Sequence, residues 1–292
     1  MNYNAASLRT LRKGIAFFYT FVYNSTKRQL YTRSVTGEER GPLLKISIVI
    51  PMYNEEKIIE KTAEELLALC RTSLPEGTDD YEIVFSDDGS RDNCAGIVRR
   101  LAEKDPHIRL CGTPENHGKG SAIRHGVLAA TGDVVLYTDC DLAYGTEQPA
   151  NMLRAMQSAG TDLLIGSRAA GEDGYAGYTA LRRLGSKGIH RIIRLGSGLS
   201  VSDTQTGLKC MRGDAAREIF SHCTTDGFAF DIEALMIAEK LHKTVSEFPV
   251  TVERSDRDLG RTSNVHVARD TVRLLRDIKK IRRRVRRLGK PS

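Results

Sequence analysis

The sequence predicts an α/β fold built on a parallel sheet with helices on both faces, and three observations carry that expectation. From Ile46 onward, short runs of β-branched and aromatic residues alternate with segments whose apolar residues recur every three or four positions. Several of those runs end in loops that carry carboxylates, which is where an open α/β sheet offers ligands at the carboxyl ends of its strands. The composition, 40% hydrophobic and 28% charged over 292 residues, is that of a globular chain able to bury one good-sized core.

Taken in order, the chain divides into an N-terminal segment (1–44), a globular domain (45–255) and a C-terminal basic amphipathic helix (256–292). Residues 14–23 are apolar and aromatic but fall short of the ~20 residues that span a bilayer. No small-residue cleavage site follows them, so they are read as an interfacial segment rather than a signal peptide. The polar stretch 36–42 suits a linker. Residues 46–50 form a buried strand that Pro51 closes, because proline cannot donate to a ladder. Ile58, Ile59, Ala63, Leu66, Leu67 and Cys70 then share one helical face. Strand, loop and helix repeat at 81–86, 87–92 and 94–104, and a strand follows at 108–111. Gly118-Lys119-Gly120 opens a helix that runs to Thr131, ahead of the strand 134–137. Beyond Tyr144 the alternation loosens. A helix at 148–159, a strand at 162–166, a glycine-rich loop at 171–177 and helices at 181–195 and 230–241 are expected. From about Val265, the residues Val272, Leu275, Ile278, Ile281, Val285 and Leu288 line one helical face, with Lys and Arg crowding the other.

Lys plus Arg exceeds Asp plus Glu by 44 − 37 = 7, with much of the excess near the C-terminus, which implies an anionic surface or substrate. The six cysteines are scattered with no C-x-x-C pair, so neither a zinc knuckle nor a redox pair is indicated and free thiols in a reducing compartment are expected. There is no G-x-S-x-G elbow and no H-E-x-x-H pair, which sets hydrolase chemistry aside. Gly118-Lys119-Gly120 does not fit a Walker loop, since Gly120 rather than Ser or Thr follows the lysine.

The candidate chemistry lies in the loops after strands. Asp139 and Asp141, one residue apart at the end of 134–137, repel each other, and a divalent cation with oxygen ligands that bridges to phosphate would relieve the repulsion; a plain turn is the other reading. Glu55, with Asp87 or Asp88, can accept hydrogen bonds from a base ring N–H and from ribose hydroxyls, which is half of a nucleotide pocket. Lys119, at a helix start, either directs an ammonium and backbone N–H groups at an anion or simply begins a helix.

Together these stretches spell out a family. Pro51-x-Tyr-Asn-Glu55, Asp87-Asp-Gly-Ser90, Asn116-x-Gly-Lys-Gly120, Asp139-x-Asp141, Gly166-Ser-Arg168 and Asp203-Thr-Gln-x-Gly207-x-Lys209 occur in the order found in family 2 glycosyltransferases. Within that family the chain most resembles the dolichyl-phosphate glucosyltransferases, with the dolichyl-phosphate mannose synthases close behind. The nearest stretches are Gly118-Lys-Gly-Ser-Ala-Ile-Arg-His-Gly126 and Ala229-Phe-Asp-Ile-Glu233, and the resemblance spans roughly 46–252. It implies a GT-A fold with Rossmann-like nucleotide-sugar binding, an inverting reaction and Mg²⁺ or Mn²⁺. Carried onto this sequence, Pro51, Tyr53, Glu55 and Asp88 would hold the nucleoside, and Asp139 and Asp141 the metal and diphosphate. Ser167 and Arg168 would meet the acceptor phosphate, with Gln205 and Lys209 lining the same cavity. Two departures stand out: the shorter aromatic segment replaces an N-terminal membrane helix, and Gly260-Arg261-Thr-Ser263 only loosely echoes a late Gly-Ser-Lys motif.

The reaction this implies moves a hexose, with glucose from UDP-glucose favoured over mannose from GDP-mannose, onto a polyprenyl or dolichyl phosphate. With a second pKa near ~6, a phosphate monoester is largely dianionic at neutral pH and can attack C1 without a base. Arg168 and Lys209 are then the acceptor-side cations. A saccharide hydroxyl as acceptor would need a carboxylate base, for which Asp231 is the candidate; its other reading is a charge in the first turn of a helix. The basic tail 279–290 suits an anionic membrane surface, with nucleic acid as the disfavoured rival, and a peripheral place at the cytoplasmic membrane face is expected.

Overall fold

The computed structural model describes residues 44–170, 193, 196–253 and 267–288. The aromatic segment 14–23, the linker 36–42, the loop 171–177, Arg261 and nearly all of the helix expected at 181–195 lie outside the described residues.

Seven strands form one sheet in the order β3-β2-β1-β4-β6-β5-β7. They are β1 (Leu44–Met52), β2 (Thr78–Asp88), β3 (Ile108–Thr113), β4 (Val134–Tyr137), β5 (Leu163–Ser167), β6 (Lys209–Arg212) and β7 (Val245–Pro249). β1 pairs in parallel with β2 and β4, β2 with β3, and β5 with β7, whereas β6 runs antiparallel to both β4 and β5. The expected parallel sheet is therefore found with one antiparallel strand, β6, which makes it mixed. The reversal has a local effect: it brings Lys209, the first residue of β6, to the carboxyl edge of its neighbours, opposite Tyr137 and Ile165.

The helices are α1 (Ile59–Ser73), α2 (Cys94–Lys104), α3 (Lys119–Ala129), α4 (Glu147–Ser158), α5 (Gly213–His222), α6 (Phe230–Lys240) and α7 (Val267–Val285). Both faces of the sheet are covered, and the strand period of two shows in β1. Ile46, Ile48 and Ile50 enter one apolar core with α1, α2 and α4, while Val49 enters a second with α3, α5, α6 and α7. Strands buried on both faces have to be continuous apolar runs, which is why β1 and β4 are the most legible elements of the sequence.

Helix α7 corrects one expectation. Its apolar residues Ile278, Ile281 and Val285 are buried in the second core rather than offered to a membrane. Its Arg284 pairs with Glu233, a fully buried residue of α6, and its Arg282 donates to the Gly196 carbonyl at 3.2 Å. Among the described side chains of α7 and the turn that follows it, Arg276, Lys279, Lys280, Arg282, Arg283, Arg286 and Arg287 are exposed, together with Leu275. Among the described residues, no helix is long and apolar enough to cross a membrane.

Candidate active site

The carboxyl edge of the sheet collects the carboxylates. β1 runs out into the loop 53–56, β2 ends at Asp87 and Asp88, β4 leads into Asp139 and Asp141, and β5 ends at Ser167. Because α3 and α6 run back against the strands, their N-termini, with Lys119 and Asp231, lie at the same edge.

These loops brace one another. Asn54, held at φ 57°, accepts the Arg91 N–H through Oδ1 at 2.8 Å and donates its own N–H to Ser90 Oγ at 3.0 Å. The Glu56 N–H donates to Asp92 Oδ2 at 2.9 Å. Asp87 Oδ1 accepts from the Ser90 hydroxyl at 2.6 Å, and Asp88 accepts from Asn116 Nδ2 at 2.8 Å, the His117 N–H at 3.1 Å and the Gly118 N–H at 2.7 Å. Asp88 is buried, so these bonds give it a scaffolding task that its motif did not signal. Pro51 sits in the β1–β2 ladder opposite Ser86, and Tyr53 stands exposed just beyond it. Glu55 accepts the Ile58 and Ile59 N–H groups through its carbonyl, both at 3.0 Å, and so starts α1.

The glycines of Gly118-Lys119-Gly120 answer to packing. A Cβ on Gly118 would overlap the Asp226 carbonyl, and one on Gly120 would overlap the Thr225 carbonyl and Phe230 Cβ. The Gly120 N–H already donates to the Asp226 carbonyl at 2.8 Å. The motif therefore docks α3 against the loop ahead of α6, and an anion at this helix start would not find the Gly118 and Gly120 N–H groups available. The Lys119 ammonium pairs with Asp139 Oδ1. Burial works against that ammonium, but Asp139, helped by Asp231 and Asp141, holds its pKa above the ordinary lysine value.

Behind this pair lies a second. Lys209, expected from the sequence as an acceptor-side cation, is instead buried, with Nζ 2.6 Å from Asp231 Oδ1 and 2.6 Å from the Thr206 carbonyl. Tyr137, which sequence reasoning passed over as a plain strand residue, donates its hydroxyl to Asp231 Oδ1 at 2.7 Å. Burial pushes the Asp231 pKa above the usual aspartate range, with Lys209 pulling against it. Asp231 lies in the first turn of α6 but is enclosed, so it is poorly placed to take a proton from a substrate. What results is an alternation of charge, Asp139, Lys119, Asp231, Lys209, running from the site mouth into the core.

On the far side of β4, Asp203 binds Arg168 in a bidentate fork, Nε to Oδ2 at 2.7 Å and Nη2 to Oδ1 at 3.0 Å, and is itself fully buried. The fork fixes the plane of the Arg168 guanidinium. The spacing from Arg168 to Asp203 carried no sign of this partnership. Ser167 Oγ lies 2.8 Å from Ser202 Oγ, and the Gln205 N–H donates to Asp203 Oδ1 at 3.3 Å.

The donor set suits a hard divalent cation. Asp139 and Asp141 are half-buried carboxylates, and the backbone is cut away beside the first: a Cβ on Gly207 would overlap the Asp139 carboxylate. Asp141 Oδ1 accepts the Ala143 N–H at 3.1 Å. No cluster of three or more His, Cys, Asp or Glu residues able to hold a metal occurs among the described residues. A cation bound by two carboxylates completes its shell with substrate oxygens and water, which is the habit of Mg²⁺-like ions beside phosphates.

This mixed seven-stranded sheet, with paired carboxylates after its central strand, is the GT-A fold of glycosyltransferases. Mannosyl-3-phosphoglycerate synthase from Rubrobacter xylanophilus shares it with a TM-score of 0.59 at 20% identity, over 85% of this chain and 77% of that one. Glucosyl-3-phosphoglycerate synthase from Mycobacterium tuberculosis, crystallised with Mn²⁺, UDP and phosphoglyceric acid, shares it with a TM-score of 0.55 at 19% identity, over 85% and 80%. Residues 47–220 match the model of glycosyl transferase family 2, and the chain belongs to that family; it is a glycosyltransferase. A dolichyl-phosphate beta-glucosyltransferase of Trichomonas vaginalis is 33% identical over 78% of this chain and 70% of its own length. Those of Drosophila melanogaster and Homo sapiens are 32% and 30% identical, over 73% and 72% of this chain and 68% of each relative.

Proposed function

We propose that this enzyme transfers glucose from UDP-glucose to a polyprenyl phosphate of the dolichyl type, with inversion at C1. The names of its relatives support glucose as the sugar and dolichyl phosphate as the acceptor. The observation that carries the acceptor class is the enclosure of Asp231: the one carboxylate singled out as a base is tied to Lys209 and Tyr137. A hydroxyl acceptor needs a base within reach, whereas a phosphate dianion does not.

In this reading the acceptor phosphate oxygen attacks C1 from the face opposite the leaving group, the C1–O bond to UDP breaks, and the electron pair leaves with the diphosphate. Asp139 and Asp141 would hold Mg²⁺ or Mn²⁺, which when bound supplies positive charge against the departing UDP. Arg168, its plane set by Asp203, holds the acceptor phosphate in line beside Ser167 and Gln205. Tyr53, Glu55 and Asp87 border the nucleoside. Lys209 acts from behind, as the partner that lets Asp231 stay charged beside Lys119. The exposed cations of α7 favour a peripheral place on an anionic membrane face, where a lipid phosphate is found.

The test is transfer of labelled sugar into an organic-extractable product, from UDP-glucose and separately from GDP-mannose, with and without polyprenyl phosphate and metal. Label from UDP-glucose that needs both additions is expected. Label only from GDP-mannose, or donor cleavage with no lipid product, would overturn the assignment.

A further inference from the structure

Phe228 is 76% exposed, more than any other large hydrophobic residue among the described ones, and it stands on the loop between α5 and α6, ahead of Asp231. The loop is held at every side. Asp226 accepts the Gly120 N–H through its carbonyl at 2.8 Å and Arg124 through Oδ1 at 2.8 Å, while the Thr224 and Thr225 N–H groups donate to Glu233 Oε2 at 3.1 Å and 2.6 Å. The Phe230 N–H closes onto the Gly227 carbonyl at 3.1 Å. An aromatic ring in water on a loop this constrained is presented rather than left loose. Arg284 of α7 reaches the same loop, donating to Thr225 Oγ1 at 3.2 Å. One helical turn to either side of Arg284 lie Lys280 and Arg287, both exposed, so the cationic surface continues outward from the loop along α7.

We propose that Phe228 is an apolar anchor that enters the interfacial zone of an anionic bilayer while the basic face of α7 lies on its headgroups, turning the carboxyl edge of the sheet, and with it the acceptor site, toward the membrane. An exposed ring on a loop that a basic helix touches is the combination that binds such a surface, the ring contributing burial and the cations of the helix attraction. Anionic lipid is favoured over nucleic acid because a protruding ring, three residues from the Thr225 that Arg284 reaches, gains nothing from a phosphate backbone alone. The inference rests on the lipid-phosphate reading above for its biological sense, but its test does not.

The chain contains no tryptophan, so Phe228→Trp creates a single reporter. Leu128→Trp makes the control, since Leu128, 44% exposed, lies in the last turn of α3 at the opposite edge of the sheet. On mixing with phosphatidylserine–phosphatidylcholine vesicles, the emission of the tryptophan at 228 should shift to the blue and be quenched by brominated acyl chains, while that at 128 should do neither. Phe228→Ser should lose about tenfold or more in vesicle sedimentation, the order expected for one buried phenyl ring, while keeping transfer to a short water-soluble polyprenyl phosphate. No shift at 228, an equal shift at 128, retention on DNA without vesicle binding, or equal loss of transfer to soluble and membrane-borne acceptor would each overturn the anchor. Absence of transfer by every form would sink the lipid-phosphate reading and leave the fluorescence result to decide the anchor by itself.

Discussion

Asp231 and Lys209 place opposite charges 2.6 Å apart in an interior that admits almost no water, and the pair holds only while both members remain. Asp231→Asn leaves a buried ammonium without its counter-charge and should cost about 3–5 kcal/mol, read as a fall in the urea midpoint; Lys209→Met with Asp231→Leu should recover part of that loss. A midpoint unchanged in the single variant would mean the pair contributes nothing. A second residue-scale prediction lies at the other end of the sheet. Glu82 accepts from the Ser47 hydroxyl at 2.6 Å and from the Thr131 N–H at 2.7 Å. Burial alone would raise its pKa, but these bonds and that from Arg109 outweigh it and lower the value from 4.5 to about 2. Because the folded-state pKa is depressed, the stabilisation is complete above pH ~4.5 and is lost as pH falls toward ~2, a difference of about 3 kcal/mol. Glu82→Gln should flatten that part of the stability–pH curve. An unchanged curve would show that other carboxylates govern acid unfolding.

At the scale of elements, the glycine motif at the head of α3 makes a sharp demand. Gly120→Ala forces a Cβ into the Thr225 carbonyl and Phe230 Cβ and should cost about 1–3 kcal/mol, with a loss of transfer as the loop shifts. Ile281→Ala on α7 empties a buried site and should cost about 2–5 kcal/mol; a surface-lying helix would lose far less, so the measured value separates the two packings. The elements that were legible in the sequence are those with a period to read. The strand expected at 134–137 is Val134–Tyr137, and the expected helices 94–104 and 230–241 are found as Cys94–Lys104 and Phe230–Lys240. β6 was not legible, because Lys-Cys-Met-Arg has no β-branched run, and its reversal follows from pairing with β4 and β5 rather than from anything local. β7 and α5 were missed as well. The outward side of the site could be read because strand ends that carry carboxylates are a positional signal. Its support could not, since Asp203 with Arg168 and Tyr137 with Asp231 are contacts made across 35 and 94 residues.

For the molecule as a whole, the sheet separates two tasks. Its amino edge is locked by Glu82 and its partners, and its carboxyl edge gathers the donor-side carboxylates, the Arg168 fork and the loop ahead of α6 that Arg284 of α7 touches. A site built in this way activates its acceptor by position, and the nucleophile brings its own charge. The most direct test of that claim is the pH dependence of kcat/KM for transfer from UDP-glucose to a polyprenyl phosphate, repeated with an acceptor whose phosphate analogue has a different second pKa. The account predicts an acidic limb near ~6 for the phosphate that moves with the acceptor's own pKa. A limb that stays fixed when the acceptor is changed would assign it to a base on the enzyme and contradict the account.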